Sequence, residues 1–267
     1  MFQLDHTCGA GPGTRYDESM YKGVFGTMAV LTEKQIKNRY FDEIGGFPSL
    51  SYNEERINYA VEVKDYKGQE RLCICCTQLD YFSYSERDKK RILKEWIDFL
   101  RINTKTFKGL HFNSHVPQRL FDAVCGQEDL EEFRVKWGNY KDLSALEQLT
   151  NLKFLFLGTC PGVTDLTPIT KLKNLIVLYI QNFKRIEDYS PLIILDKLEQ
   201  LIISGPILGR TPVKDLEFLK EMHNLLSVWI PGTMVRKKYS PDELAKLRKD
   251  MPDLHDIYGC IWGLSNL

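Results

Sequence analysis

The stretch that decides the fold is DLSAL at residues 142–146, which recurs as DLTPI at 165–169 and as DYSPL at 188–192. The three segments are 23 residues apart, and leucines follow each of them at the same offsets. A fixed period of this kind is the signature of a solenoid, in which each repeat forms one structural unit. No single repeat buries its own apolar edge, so the units are stable only when they stack.

Each repeat continues into a short run with apolar residues at its first, fourth and sixth positions, which is the spacing of a strand with one buried edge. Three runs keep the period, two similar runs precede them, and two looser runs follow after steps of 27 and 29 residues. We therefore predict about seven stacked rungs. They begin at Phe107, Leu130, Leu152, Leu175, Leu198, Leu225 and Leu254.

Helical turns are expected between the strands. Thr167-Pro168 and Ser190-Pro191 each place a hydroxyl before a proline, which predicts that the hydroxyl caps a short helix with proline at its first position. Residues 240–243 read Ser-Pro-Asp-Glu, a capping box that predicts a full helix packed on the last rung.

The segment from about residue 107 to about residue 260 resembles the bacterial leucine-rich repeats of internalin type, in which a strand is followed by a turn similar to Asp-Leu-Thr-Pro-Leu. The units at 142–203 carry the resemblance. It implies an α/β leucine-rich-repeat solenoid with a parallel sheet on its concave face, used to hold other proteins. The asparagine that the family places at position nine is replaced here by His115, Gly138, Cys160, Phe183 and Pro206.

Residues 1–104 do not show the period, so we predict a small α+β capping domain there and the solenoid with a C-terminal cap over 105–267. Within the capping domain, a capping box at 32–35 predicts a helix that ends at the glycine pair 45–46.

Two further elements are predicted in the capping domain. Alternating apolar residues at 59–63 and 72–76, on either side of a turn, predict a β-hairpin. Ser85 is predicted to cap a helix whose apolar stripe packs on that hairpin. The stripe consists of Ile92, Leu93, Trp96, Ile97 and Leu100.

Composition argues against several classes of function. Lys plus Arg and Asp plus Glu both number 36, so no net charge favours nucleic acid or an anionic membrane. The N-terminus has no apolar stretch of secretory length, and no window of about 18 apolar residues is present. Seven cysteines without regular spacing favour reduced thiols. These features predict a cytoplasmic protein, and the resemblance to internalin-type repeats implies a bacterial one; removal of a signal segment from a longer precursor is the alternative.

The motifs that suggest chemistry are weak. The glycine-rich loop at 9–14 lacks the lysine of a phosphate-binding loop, and the cysteines at 73, 75 and 76 have no second ligand pair at zinc-site spacing. His111 and His115 lie across a strand and its turn, so they are not expected to share a ligand, and Cys8 with His6 lacks a third group that would orient them. We predict no catalytic residue, no metal and no cofactor.

The fifth position of each rung points away from the leucines, because side chains alternate along a strand. Most of these residues are aromatic or aliphatic, and the third position adds two more. Exposed apolar patches mark interaction surfaces, and aromatic residues and arginine dominate binding hot spots. The predicted partner-binding residues are Arg134, Phe154, Phe156, Val177, Tyr179, Ile202, Trp229 and Tyr258, with His111 at the first rung.

The leading hypothesis is a non-enzymatic scaffold that binds another protein through this face, for example an inhibitor or an immunity-type protein. One alternative is an enzyme whose active site lies in the N-terminal domain and whose repeats select substrates. Another is a structural protein that self-associates, as a homodimer, through the same face. A further alternative is that the N-terminal domain or residues 260–267 cover this face, so that it binds no partner.

Overall fold

A parallel sheet of nine strands organises the protein. The structure is a computed structural model, and it describes residues 59–206, 208–256 and 261. Within these residues the sheet order is β1-β2-β3-β4-β5-β6-β7-β9-β11, and β8 pairs with β10 in a second, two-stranded sheet. The strands are β1 (Tyr59–Ala60), β2 (Arg71–Ile74), β3 (Gly109–Val116), β4 (Glu132–Gly138), β5 (Phe154–Leu157), β6 (Val177–Gln181), β7 (Gln200–Ser204), β8 (Thr211–Val213), β9 (Ser227–Trp229), β10 (Thr233–Val235) and β11 (His255–Asp256).

Helices of two kinds connect the strands. The α-helices are α1 (Glu86–Ile102), α2 (Gln118–Val124) and α3 (Pro241–Asp250). Short 3-10 helices take their place elsewhere, at Val63–Asp65, Ser144–Gln148, Thr167–Lys171, Ser190–Ile194 and Glu217–Glu221. None of the described helices is long and apolar enough to cross a membrane.

The core is a ladder of apolar side chains at one register position. Leu155 pairs with Leu178, Leu178 with Leu201 and Leu201 with Val228, and all four are buried. The same position is held by Phe133, Leu110 and Leu72 on the preceding strands. The repeat period thus brings equivalent residues of neighbouring strands side by side, and the predicted leucine-rich-repeat solenoid is confirmed.

The predicted hairpin is wrong. Tyr59 pairs with Cys73 and Ala60 with Ile74 in parallel, so β1 and β2 are two further strands of the main sheet. Alternation of apolar residues shows which way side chains point, and it is the same for parallel and antiparallel neighbours. The sheet therefore extends across the predicted domain boundary at residue 105.

The cap predicted at Ser85 and the capping box predicted at Ser240 are both confirmed. The Asp88 amide donates to Ser85 Oγ at 3.2 Å at the start of α1, and the Glu243 amide donates to Ser240 Oγ at 3.2 Å at the start of α3. In α1, Trp96 also donates from Nε1 to the Val61 carbonyl at 2.7 Å. Helix α1 thus connects β2 to β3 as the crossover that parallel strands require.

The caps predicted for two of the 3-10 helices name the wrong residue: an aspartate carboxylate, and not the predicted hydroxyl, accepts the hydrogen bond at the start of each helix. Thr167 and Ser190 are the first residues of their helices, and each amide donates to the aspartate two positions earlier, to Asp165 Oδ1 at 2.8 Å and to Asp188 Oδ1 at 2.9 Å. A short carboxylate closes such a turn on its own backbone more readily than a hydroxyl does. Asp215 makes the same bond to Glu217 at 3.0 Å, which extends the motif into the irregular repeat.

Because these carboxylates accept hydrogen bonds, replacing one should weaken its turn. We expect Asp165→Ala to lower the free energy of unfolding by about 1 kcal/mol, the usual effect of losing a cap. Bonding to the side chain and backbone of Thr167 holds the pKa of Asp165 below its ordinary value, so this stabilisation is complete above the unfolded pKa and is lost as pH falls through the folded one. Urea unfolding at pH 7 and at acid pH checks both statements. A difference from wild type that stays constant across that pH range would contradict the cap.

Asparagine side chains join successive turns. Asn151 donates to the Glu128 carbonyl at 2.9 Å, and Asn174 donates to the Thr150 carbonyl at 2.8 Å. At position nine, where the family has asparagine, the buried Cys160 thiol donates to the Tyr140 carbonyl at 2.7 Å. The ladder between rungs is therefore built from a different position and, at one rung, from a thiol.

Several sequence predictions concern residues outside the described ranges. They are the helix at 32–45, the glycine-rich loop at 9–14, the His6 and Cys8 pair, Ile257 of the last rung, and Tyr258.

Candidate functional site

Five side chains form a continuous row on the sheet face opposite the leucine ladder. Arg134 pairs with Phe156, Phe156 with Tyr179, Tyr179 with Ile202 and Ile202 with Trp229. We call these five residues the aromatic row. Their alignment is the one that the alternation of side chains predicts.

The first half of the aromatic row is a stack. The rings of Phe156 and Tyr179 lie 4.4 Å apart at 27°, and the guanidinium carbon of Arg134 lies 5.3 Å from the centre of the Phe156 ring. Both contacts are attractive beyond the area that they bury. The hydroxyl groups of Tyr179 and Ser204 share a hydrogen bond of 3.0 Å. These contacts hold each side chain in one orientation.

Burial keeps the Tyr179 hydroxyl protonated. Desolvation raises the pKa of Tyr179, although Ser204 and the charge of Arg134 oppose that effect. At neutral pH the row therefore carries a single charge from its own members, on Arg134.

The middle of the row is less accessible than an open sheet face would be. Phe156 and Tyr179 are each 8% exposed, and the other predicted site residues Phe154, Val177 and Ile202 are buried. Arg134 and Trp229, at its two ends, are half-buried. The accessible part of the row therefore lies at its two ends.

Beside Arg134 lies a polar cluster, formed by the buried His111 and Glu132 and the half-buried Arg71. Glu132 Oε1 lies 2.9 Å from His111 Nε2, and the other carboxylate oxygen is paired with Arg71. Glu132 is 5% exposed and His111 is 1% exposed. Burial raises the pKa of the Glu132 carboxyl. The hydrogen bond to His111 and the charges of His111, Arg71 and Arg134 lower that pKa by more than burial raises it, so the net pKa lies below the ordinary value.

Sequence reasoning found only part of this cluster. Glu132 and His111 stand at the third and fifth positions of their rungs, where the alternation places them on this face. Arg71 was missed because residues 72–76 were assigned to a hairpin outside the solenoid, so its pairing with Gly109 could not be foreseen. Long-range pairing of a cation with Glu132 leaves no signal in the spacing of residues.

Cys73 lies next to His111 on the neighbouring strand, and Asn113 Nδ2 donates to its sulfur at 3.0 Å. A thiol, an imidazole and a carboxylate thus share one sheet face. Cys73 is fully buried, however, and a nucleophile has to reach its substrate. Elsewhere, burial raises the pKa of Cys76 to about 12 and that of Cys160 to about 12, so both stay protonated.

Metal binding finds no support in the described ranges, where no group of three His, Cys, Asp or Glu side chains is placed to hold an ion.

No protein-family model matches the chain, and no curated protein matches it. Solved structures do. An internalin (inlF) from Listeria monocytogenes is 21% identical over 57% of this chain and 47% of that chain, with a TM-score of 0.42. An internalin C2 (inlC2) from the same organism is 24% identical over 50% of this chain and 55% of that one, with a TM-score of 0.41.

A leucine-rich-repeat protein from Leptospira interrogans is 19% identical over 57% of this chain and 43% of that chain, with a TM-score of 0.37. The chain therefore matches about half the length of each of these proteins. Its own fold is established by the period of the sequence and by the register of the strands.

Proposed function

We propose that the chain is a non-enzymatic scaffold that binds another protein through the aromatic row. The observation that carries the proposal is the stack of Arg134, Phe156 and Tyr179, continued by Ile202 and ending at the half-buried Trp229. Arginine, tyrosine and tryptophan are the residues most enriched in binding hot spots. Arg134 and Trp229 are the two of these that are half-buried, and Tyr179 lies between them in the row at 8% exposure.

The rigidity of the row supports the same reading. Each side chain stands on a strand whose register is set by the leucine ladder, and the stack restricts Arg134 and Phe156 further. Binding to groups that are already ordered loses less side-chain entropy than binding to mobile ones. The third-position residues Phe154 and Val177 lie on the same face, as does the polar cluster. The proposed contact surface is therefore apolar in the middle and charged at the Arg134 end.

The proposal is tested at the two accessible ends of the row. The tagged protein is used to capture partners from a lysate of the organism that encodes it, and each captured protein is purified and titrated against the variants by calorimetry. We expect Trp229→Ala to weaken binding about 30-fold, the effect of losing a residue worth about 2 kcal/mol, and Arg134→Ala to weaken it as well.

Tyr81→Ala is the control, since Tyr81 is 73% exposed and lies in the segment before α1. Equal affinities for wild type, Trp229→Ala and Tyr81→Ala would rule out the aromatic row as the binding surface. Light scattering over a range of concentrations separates self-association from binding of another protein: a dimer that Trp229→Ala dissociates would identify the partner as a second copy of the chain.

A further inference from the structure

A second surface lies on the other side of the sheet, where α1 and α2 form a groove of about 390 Å³. The ring of Phe121 in α2 packs 5.6 Å from that of Phe133, a member of the leucine ladder, which places this helix opposite the aromatic row. The groove is lined by the α1 residues Lys90, Leu93, Lys94, Ile97, Asp98 and Arg101 and by Arg119 of α2. It is separate from the surface in the proposed function.

The groove has an apolar floor and a positively charged rim. Leu93 is half-buried and Ile97 is buried, so the floor belongs to the packed side of α1. Lys94 is paired with Asp98. Lys90, Arg101 and Arg119 are exposed and form no ion pair with any residue in the described ranges. Three cations in a chain with a formal net charge of zero are therefore gathered around one apolar strip.

The spacing of these cations limits the ligand. Lys90 and Arg101 are eleven positions apart in α1, or about 16 Å along the helix axis. An extended chain covers that distance with about five residues. Arg119 provides charge from the opposite wall, so a ligand in the groove is attracted from both sides.

We propose that this groove binds an acidic peptide segment of a partner protein, with an apolar side chain on Leu93 and Ile97 and carboxylates beside Lys90, Arg101 and Arg119. The apolar floor distinguishes a peptide from a nucleic acid, because a phosphodiester backbone gains nothing from contact with aliphatic carbons. Complementary charge also speeds the encounter of such a segment with the groove.

The experiment measures the anisotropy of a short fluorescein-labelled peptide with a Glu-Glu-Leu-Glu-Glu core on addition of the full chain. The variant Lys90→Glu/Arg101→Glu changes the rim, and Lys246→Glu/Lys249→Glu makes the same change of charge at exposed positions of α3. We expect the rim variant to bind about tenfold more weakly and the control less than about twofold more weakly. Circular dichroism confirms that both remain folded.

Three results would overturn the proposal. The first is that the rim and control variants weaken peptide binding equally. The second is that a peptide with Gln in place of Glu, or with Ser in place of Leu, binds as tightly as the original peptide. The third is that a single-stranded oligonucleotide of similar length binds as tightly as the peptide and loses as much affinity in the rim variant. Trp229→Ala should leave peptide affinity unchanged, which separates this proposal from the role of the aromatic row.

Discussion

Replacing Gly158 with alanine should destabilise the protein by about 3 kcal/mol, the upper part of the range for overpacking a well-packed site. Gly158 follows β5, where the chain passes close to the backbone of β4. A Cβ atom there would lie 1.9 Å from the Lys136 carbonyl oxygen and 2.6 Å from the Val135 oxygen. Both contacts are with backbone, so no side-chain rotation relieves them.

The strands cannot separate to make room. The Gly158 amide donates to the Val135 carbonyl at 2.7 Å, and Val135 pairs with Leu157 in the sheet. Moving the backbone of residues 135–136 would therefore break hydrogen bonds between β4 and β5. Urea unfolding measures the effect as a lower midpoint at an unchanged slope.

Gly126→Ala is the matched control for Gly158→Ala. The nearest atom to a Cβ at Gly126 is the Ala123 oxygen at 3.5 Å, an ordinary contact. We expect this variant to change the free energy of unfolding by less than about 0.5 kcal/mol. Equal midpoints for the two variants would contradict the prediction that the backbone of β4 leaves no room for a Cβ atom at Gly158.

Glu132→Ala should lower the free energy of unfolding by about 3–5 kcal/mol, because it leaves Arg71 and His111 beside each other in a buried site without their carboxylate. Glu131 is the adjacent control. Its carboxylate is more exposed and contacts Lys153 at 3.3 Å and Arg71 at 4.0 Å. Such a pair is worth about 1 kcal/mol or less, so Glu131→Ala should have a small effect.

The contribution of Glu132 also predicts a dependence on pH. Since its pKa is lower in the folded than in the unfolded chain, its stabilisation is complete above the unfolded pKa and is lost as pH falls through the folded pKa. The gap in stability between wild type and Glu132→Gln should therefore be wide at pH 7, begin to narrow as pH falls below the unfolded pKa, and close as pH falls through the lower folded pKa. Denaturant titrations at several pH values measure it, and a gap that does not change with pH would contradict the ionised state of Glu132.

The polar cluster also connects stability with the proposed binding surface. The charge of Arg134 acts on Glu132, and Arg134 lies over the Phe156 ring. A variant that removes Glu132 therefore alters the electrostatic surroundings of the one charged member of the aromatic row. Trp229→Ala leaves both Arg134 and Glu132 in place, so binding measurements on that variant test the aromatic row without removing a charge that acts on the polar cluster.

The period of the sequence was enough to predict the solenoid, the leucine ladder and the side of the sheet on which Tyr179 and Trp229 lie. Each of these depends on local repetition: a strand alternates its side chains, and equal steps place equal positions side by side. The helix caps at Ser85 and Ser240 were predictable for the same reason, because a capping box lies within four residues.

Other features were decided by contacts between distant parts of the chain. The parallel direction of β1 and β2 follows from the pairing of Tyr59 with Cys73, and the charge balance around Glu132 follows from Arg71 on another strand. The low exposure of Phe156 and Tyr179 and the groove between α1 and α2 depend equally on packing. Sequence alone determined which residues repeat and which face they share, because those follow from local geometry. The tertiary structure decided which charges meet and how much of each face is buried, because those depend on atoms brought together only by folding.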